Sequence, residues 1–567
     1  MNVRGIFLVI CSCFFCYVSY GNILQGYVRD TSGAPLPYCN VYLENTPYSC
    51  ATNEDGFFLL QAPPGKYVAI FQFIGFMRSE LPVDLNEKEQ TVTIVLRRSV
   101  LELEEVVVDA DQESLADRVM RTAIDKRKEH LQEIYSFHCS VYIKGLQKLT
   151  SAPNAILGID LKTVLELDSN NTGIFYLSES VSDYAYSYPD KTKEIMTASR
   201  VSGGDKAQFS YNDPGAMQMQ FYENNVPLEG ISQRGFISPL ADNAFFYYDY
   251  AYSGSLFEAG HEIYKIRVAP KRNTDPAFSG TVYITDDDYR LTGLQLEVYR
   301  RNGMDFVDTF HVDQEFFQPE KGKYALLSNK FSFSYSVFGI SGNGYFNAFY
   351  SDYTINPIFP KGYFTAEVSK IETDANAKDS AYWKDIRPVI LTREESRDYD
   401  KKDSLRILHE SPAYLDSIDK VFNRFKPGSL LAGYNYRNSQ KKWVFSTNPA
   451  FDLLRYNTVE GWTAHLAPHL YKGYENKKNF NVSPVLEYGF GNKTWYGSAS
   501  ADYTYDPKHS GKLYFAAGHM LRSYNKSGIS PLLNLHIPCC WKRTFSNFIV
   551  QIMYKPTGYQ NGGTDYM

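Results

Sequence analysis

The sequence predicts a mainly β chain. It has an N-terminal β-sandwich, a β-rich middle domain with a helix at its start, and a partial C-terminal membrane β-barrel. Three observations carry this. Residues 22–98 alternate short apolar runs with turn residues. Aromatic residues make up 16% of the chain, including 46 Tyr. That excess suits strands and membrane-interface girdles more than a soluble enzyme. From Gly428 onward, apolar and polar residues alternate through successive runs of strand length.

Met1 to Gly21 fits a secretory leader. Arg4 supplies the positive start, Ile6 to Tyr20 the apolar core, and Ser19-Tyr20-Gly21 the small-residue cleavage site, which places the mature start at Asn22. Cys11, Cys13 and Cys16 lack the small-residue box of a lipoprotein signal. No later segment holds eighteen consecutive apolar residues, which excludes an ordinary membrane-spanning helix but not a β-barrel.

The sandwich follows. Ile23 to Val28 is a strand, Asp30-Thr31-Ser32-Gly33 a turn, and Asn40 to Leu43 a second strand. Asn53-Glu54-Asp55-Gly56 turns into Phe57-Phe58-Leu59, and Pro63-Pro64-Gly65 turns into Val68 to Phe71. Asp-Gly supplies the positive φ of a tight hairpin and Pro-Gly presets the next turn. This run resembles the carboxypeptidase-regulatory-like domain, a transthyretin-like sandwich. The resemblance implies a module without peptidase chemistry. Cys39 and Cys50 either face each other across a hairpin in an oxidising compartment or stay as buried free thiols.

Leu101 to Val108 is an acidic, then β-branched run. A similar run precedes the plug of TonB-dependent transporters, but no plug follows here. Instead Glu113 to Ile134 has the spacing of an amphipathic helix, with Leu115, Val119, Ala123 and Ile124 on its apolar stripe and Arg127 away from it. Tyr135 to about Thr365 alternates as antiparallel strands do. Its strand, Asp-rich turn, strand order loosely resembles the half-barrels that carry lipoproteins in the periplasm. Arg393 to Asp403 is almost wholly charged, and Ala413 to Phe425 reads as a helix.

Six candidate membrane strands lie between Leu430 and Gly518. In Trp495 to Tyr505, Gly497, Ala499, Ala501 and Tyr503 alternate with Tyr496, Ser498, Ser500 and Asp502. The smallest outer-membrane barrels have about eight strands. After Leu533 the alternation is lost, through Cys539-Cys540 to the end, and a truncated or frameshifted product would account for that. The organisation read from the sequence is thus a leader at 1–21, the sandwich at 22–98, a linker at 99–110, the middle domain at 111–368, a charged helical connector at 369–427, a partial barrel at 428–533 and a divergent tail at 534–567.

The order of Val141 to Gly145, Pro270-Lys271-Arg272, Asp275 to Gly280, Gly342 to Phe346, Lys378 to Trp383 and Ile386-Arg387-Pro388 resembles a Bacteroidetes-type envelope family of unknown function behind a carboxypeptidase-regulatory-like domain. The resemblance covers about residue 22 to Leu533. It implies an outer-membrane protein and supplies no activity.

No residue set demands catalysis. His130 and Glu133 have the spacing of two carboxypeptidase zinc ligands, and His138 is nearby. A zinc site needs a third ligand and an open position, and a charged helix face explains the pair. His261-Glu262 and His409-Glu410 lack the second histidine of a zincin helix. Asp286-Asp287-Asp288 lacks the Gly and distal Glu of an EF-hand loop. Asn53, Asp55 and Gly56 are explained by their turn, and Cys539-Cys540 is too close a pair to chelate alone.

The expected catalytic, cofactor-binding and metal residues are therefore none, and no cofactor is expected. Net charge is −6 with no basic face, which argues against nucleic acid. Outer-membrane lipid and other envelope proteins are the expected partners. The expected role is non-enzymatic binding or assembly at the outer membrane, with periplasmic or surface-exposed soluble domains. The competing expectations are a plugless TonB-dependent transporter relative and a zinc hydrolase.

Overall fold

The structure, a computed structural model, describes residues 22–98, 114–523 and 541–553, save short stretches at 45, 47, 87–88, 157–158, 166, 204–211, 229, 259–260, 321, 427, 458–459, 475–476 and 508–510. The leader, the run Leu101–Val108 and the pair Cys539-Cys540 lie outside the described residues. The chain divides into two compact units, one up to Asp403 and one from Ser404.

The first unit begins with the expected sandwich. One sheet orders Phe57–Ala62, Asn22–Asp30 and Glu89–Leu96. The other orders Ser49–Ala51, Asn40–Leu43, Lys66–Gln72 and Ser79–Asp84. Leu24, Val28, Val41, Leu43, Phe58 and Phe71 are fully buried between them. The Asn53–Gly56 turn requires its glycine. Gly56 has φ +73°, and a Cβ there would meet the Val28 carbonyl oxygen at 2.6 Å. Cys39 and Cys50 are buried free thiols.

The middle of the unit is a half-barrel of eleven strands. Their spatial order is Tyr248–Glu258, His261–Pro270, Ser279–Thr285, Leu291–Tyr299, Val307–Glu320, Lys323–Val337, Ile340–Ile355, Ser136–Ser151, Gly173–Ser187, Lys191–Val201 and Ser369–Ile371. Every pairing is antiparallel except the last. Alternating side chains supply its two faces.

On one face, Val282, Leu294, Leu296, Val298 and Phe310 pack under the helix Leu115–Glu133 and under residues 221–248 of the same chain. Phe221, Phe236, Leu240 and Tyr248 fill that side, so the apolar face is covered by the protein itself. The helix departs from expectation at one place. Arg127 is buried with the stripe, because it donates to the Tyr222 carbonyl and pairs with Asp242 at 2.7 Å.

The opposite face carries the sandwich and a polar cover. The Ile74 amide donates to Glu315 Oε1 at 3.1 Å, and Asn40 also donates to Glu315. Lys330 Nζ lies 4.2 Å from the Tyr38 ring centre. The Ala51 amide donates to the Pro388 carbonyl at 2.8 Å. Residues 380–403, within the charged helical connector expected at 369–427, cover this face. The helix Ser380–Ile386, capped by Asp379, buries Trp383, and the helix Arg393–Glu410 buries Glu395, Tyr399 and Lys402. Their charges have partners on the sheet, which composition alone does not show.

The second unit holds a nine-stranded antiparallel sheet. Its longest strands are Asn479–Gly489, Thr494–Asp506, Gly511–Ser523 and Trp541–Met553. The last is a difference from expectation. The loss of alternation after Leu533 predicts no strand there, yet Trp541–Met553 pairs along Gly511–Ser523 from Trp541 opposite Ser523 to Met553 opposite Lys512. Among the described residues, no pairing joins the edge strands Asn435–Asn438 or Leu454–Asn457 to Trp541–Met553.

The patterning of this sheet is inverted. Cross-strand pairs Tyr456–Trp462, Leu466–Leu486, Tyr488–Trp495 and Ala501–Phe515 share one face. On it Trp462 is 58% exposed, Trp495 62% and Leu486 47%. The other face buries Thr463, His465, Tyr496 and Thr504. No helix among the described residues is long and apolar enough to cross a membrane, which says nothing about crossing by strands.

Candidate functional site

The polar cover of the half-barrel holds four charged side chains that are fully or almost fully buried: Lys144, Glu179, Glu395 and Lys402. Burying a charge is costly unless it is paired and hydrogen-bonded. Each of these is. Lys144 Nζ donates to both Glu395 oxygens at 3.1 Å. Tyr345 and the Thr392 amide, the latter at 2.7 Å, also donate to Glu395. Arg387 reaches Glu179 through two parallel bonds of 2.5 and 2.7 Å, and the Tyr142 hydroxyl adds a third at 2.6 Å. Lys402 pairs with Asp398 at 3.1 Å and donates to the Ile174 carbonyl at 2.8 Å.

Burial pushes the Glu179 carboxyl up, but the bonds and charge of Arg387 overcome this and hold it below the usual carboxylate range. Burial raises the hydroxyls of Tyr142, Tyr345 and Tyr399 well above their ordinary value, and Tyr142 and Tyr345 donate to Glu179 and Glu395. This cluster clamps helices onto strands.

Beside the clamp the same face opens into a cleft of about 1110 Å³. The sandwich supplies one wall with Tyr27, Glu54 and Asp55. The start of the helix Arg393–Glu410 supplies the other with Arg393, Glu394 and Arg397. The floor is the outward row Thr309, Ser332, Ser334 and Asn343. A concave site with convergent polar groups is the default location for binding.

The histidines and carboxylates singled out in the sequence have these neighbours. His130 Nδ1 lies 3.3 Å from Glu133, and its Nε2 lies 3.1 Å from the Asp288 carbonyl oxygen. Glu133 is paired with Arg290. Both ring nitrogens therefore have partners, and His138, on the strand Ser136–Ser151, does not join them. Asn53 Oδ1 accepts from the amides of Asp55 and Phe57, both at 3.0 Å, which is the turn role. His409 stacks on Tyr414.

Asp288 pairs with Arg290. Its neighbours Asp286 and Asp287 come within 4.8 Å of His261, a cluster that separate readings of His261-Glu262 and the Asp run did not join. His261 Nδ1 lies 3.0 Å from Asp287 Oδ2, while the buried Asp286 Oδ1 has no hydrogen-bond partner among the described residues. Neither the clamp nor the cleft is signalled by a motif in the sequence. Lys144 and Glu395 are 251 residues apart, and only a buried lysine at a strand centre, among Tyr142, Ile143 and Leu146, could have hinted at a partner.

These features define a class: a transthyretin-like module docked on a self-filled half-barrel, followed by a strand-rich unit with an exposed apolar face. Residues 24–108 match the CarboxypepD_reg-like domain, residues 119–353 match a family of unknown function (DUF5686), and residues 428–555 match that family's C-terminal domain. The chain belongs to this family. The C-terminal match reaches past Leu533, the limit expected from the sequence, and includes the strand Trp541–Met553.

Over the regulatory domain the chain is similar to two curated receptors. It is 33% identical over 108 residues to the TonB-dependent receptor SusC of Bacteroides thetaiotaomicron, which is 19% of this chain and 10% of that protein. It is 28% identical over 85 residues to the TonB-dependent receptor P39 of Formosa agariphila, 15% and 8% respectively. The chain thus spans about a tenth of the length of these relatives. Among solved structures, an outer-membrane lipoprotein-sorting protein domain from Vibrio parahaemolyticus matches at 10% identity and a TM-score of 0.20, over 44% of this chain and 98% of that one. MucB matches at 10% identity and a TM-score of 0.16, over 65% and 79%. Scores this low define no shared fold.

Proposed function

We propose that the chain is a non-enzymatic outer-membrane protein. Its C-terminal sheet faces lipid, and its first unit offers the cleft to an envelope partner. One observation carries this reading. The second unit exposes Trp462, Leu486, Trp495 and Phe515 while burying Thr463, His465 and Thr504. In water that arrangement exposes apolar area and buries polar groups, each against the usual gradient. In a bilayer the same alternation is the favourable one, with aromatic residues toward the interface. The fully partnered clamp supports a structural rather than catalytic role for the buried charges.

Carbonate extraction of cells making the full chain tests this. The protein is expected to sediment with the outer membrane and resist extraction. Recovery in the soluble periplasmic fraction overturns the reading. The second reading, a relative of the TonB-dependent receptors, is favoured by the identity to SusC over the regulatory domain. Specific retention on immobilised TonB would support it.

A further inference from the structure

We propose that the cleft between the sandwich and the helix Arg393–Glu410 binds an anionic saccharide, a hydroxyl-rich ligand bearing carboxylate or phosphate groups. This names the ligand class of the cleft and rests on the envelope-binding reading above.

The argument begins with charge. Four acidic side chains line the cleft: Glu54, Asp55, Glu394 and Glu395. Glu395 is neutralised from beneath by Lys144, Glu394 by Lys148 at 2.6 Å, and Glu54 lies 3.9 Å from Lys330. His311 is also at the lining and lies 3.3 Å from Glu297. Arg393 and Arg397 remain. They are both exposed, stand four residues apart on one helix face and have no hydrogen-bond or ion-pair partner among the described residues. After pairing, two guanidinium groups face one free carboxylate, that of Asp55. A guanidinium presents a fork of donors that matches carboxylate or phosphate in two parallel bonds.

The floor supplies the second half of the argument. Thr309, Ser332, Ser334 and Asn343 place three hydroxyls and an amide across three neighbouring strands. Thr309 and Ser334 are 2.7 Å apart, with either able to donate. Hydroxyl and amide groups both donate and accept, as sugar hydroxyls do. Tyr27 and Tyr345 add aromatic surface at the walls. Leu146 and Phe333 also line the cleft, so the hydroxyl and amide groups stand beside apolar surface on which the carbon face of a sugar ring can pack.

Isothermal titration of the full chain in detergent tests this with three probes: an oligogalacturonate for carboxylate, a phosphorylated oligomannoside for phosphate, and the uncharged oligomannoside. At least one anionic probe is expected to bind tenfold or more tightly than the uncharged one, and the tighter of the two identifies the source of charge. The double variant Arg393→Gln, Arg397→Gln is expected to lose that tenfold preference and keep its melting temperature. Should the double variant fail to fold, Arg397→Gln alone, an exposed change, is expected to weaken anionic binding at least threefold. Absence of binding by both anionic probes, equal binding of the uncharged probe, or unchanged anionic binding in the foldable arginine variant overturns the inference. None of these outcomes alters sedimentation with the outer membrane, so failure here is separable from failure of the membrane reading.

Discussion

The two large sheets of this protein are antiparallel, save for the edge strand Ser369–Ile371 of the first, and rich in tyrosine, yet they hide opposite things. The half-barrel of the first unit covers both of its faces. One is packed with the chain's own residues 221–248, and the other carries buried charges that are all paired. The sheet of the second unit leaves Trp462, Leu486 and Trp495 bare and buries Thr463 and His465. The difference teaches that strand alternation alone does not say which face is inside. In the first unit the apolar face of the half-barrel is covered by the helix Leu115–Glu133 and by residues 221–248. In the second, Trp462, Leu486 and Trp495 have no such cover among the described residues.

The comparison breaks most sharply at the clamp. Lys144→Met leaves Glu395 buried without its cation, and breaking a buried pair in this way costs about 3–5 kcal/mol. The first unit is expected to lose that much in urea unfolding. Adding Glu395→Leu is expected to recover much of the loss, since replacing both partners removes the stranded charge. A loss below about 1 kcal/mol in the single variant would mean that the pair is solvated rather than buried.

In the second unit the same logic runs in reverse. Leu486→Arg places a charge on the bare apolar face. If lipid covers that face near the bilayer midplane, the variant is expected to lose about 2–4 kcal/mol in lipid-based unfolding. Val485→Arg, on the opposite face of the same strand, is expected to cost less. Equal tolerance of both changes would remove the contrast between the two faces.

A smaller effect is expected with pH. Burial pushes Glu179 and Glu133 up, but Arg387 and Arg290 hold both below the usual carboxylate range. Their contribution is therefore present above about pH 4 and lost as pH falls through the folded values. Glu194 and Asp313, raised by burial, act the other way, since their ionisation disfavours the folded state as pH rises. In Arg387→Met the Glu179 carboxyl keeps its burial without its partner. The acid-side loss measured by thermal unfolding is then expected to shrink or reverse. An unchanged acid limb would show that Arg387 does not set the Glu179 ionisation.

Much of this was legible in the sequence where local chemistry decides structure. Asp55-Gly56 and Pro64-Gly65 announced the sandwich because a turn needs particular φ values whatever surrounds it. The alternation from Trp495 to Tyr505 announced a strand for the same local reason. The clamp was illegible because it joins strand residues near 144 and 179 to helix residues near 387 and 395. The charged run Arg393 to Asp403 reads as solvated until its partners are known. Arg127 misled in the same way. Its charge reads as off the apolar stripe, yet it is buried, with Asp242 and the Tyr222 carbonyl as its partners. The strand Trp541–Met553 was hidden by the breakdown of alternation around Cys539-Cys540, although its partner strand was visible.

The central claim is that the bare face of the second unit meets lipid. Tryptophan fluorescence in proteoliposomes tests it directly, with the signal of Trp495 isolated as the difference between the wild type and Trp495→Phe. Lipids brominated along their acyl chains are expected to quench that signal strongly, while aqueous acrylamide leaves it almost untouched. Quenching by acrylamide without quenching by brominated lipid would place Trp495 in water and contradict the account.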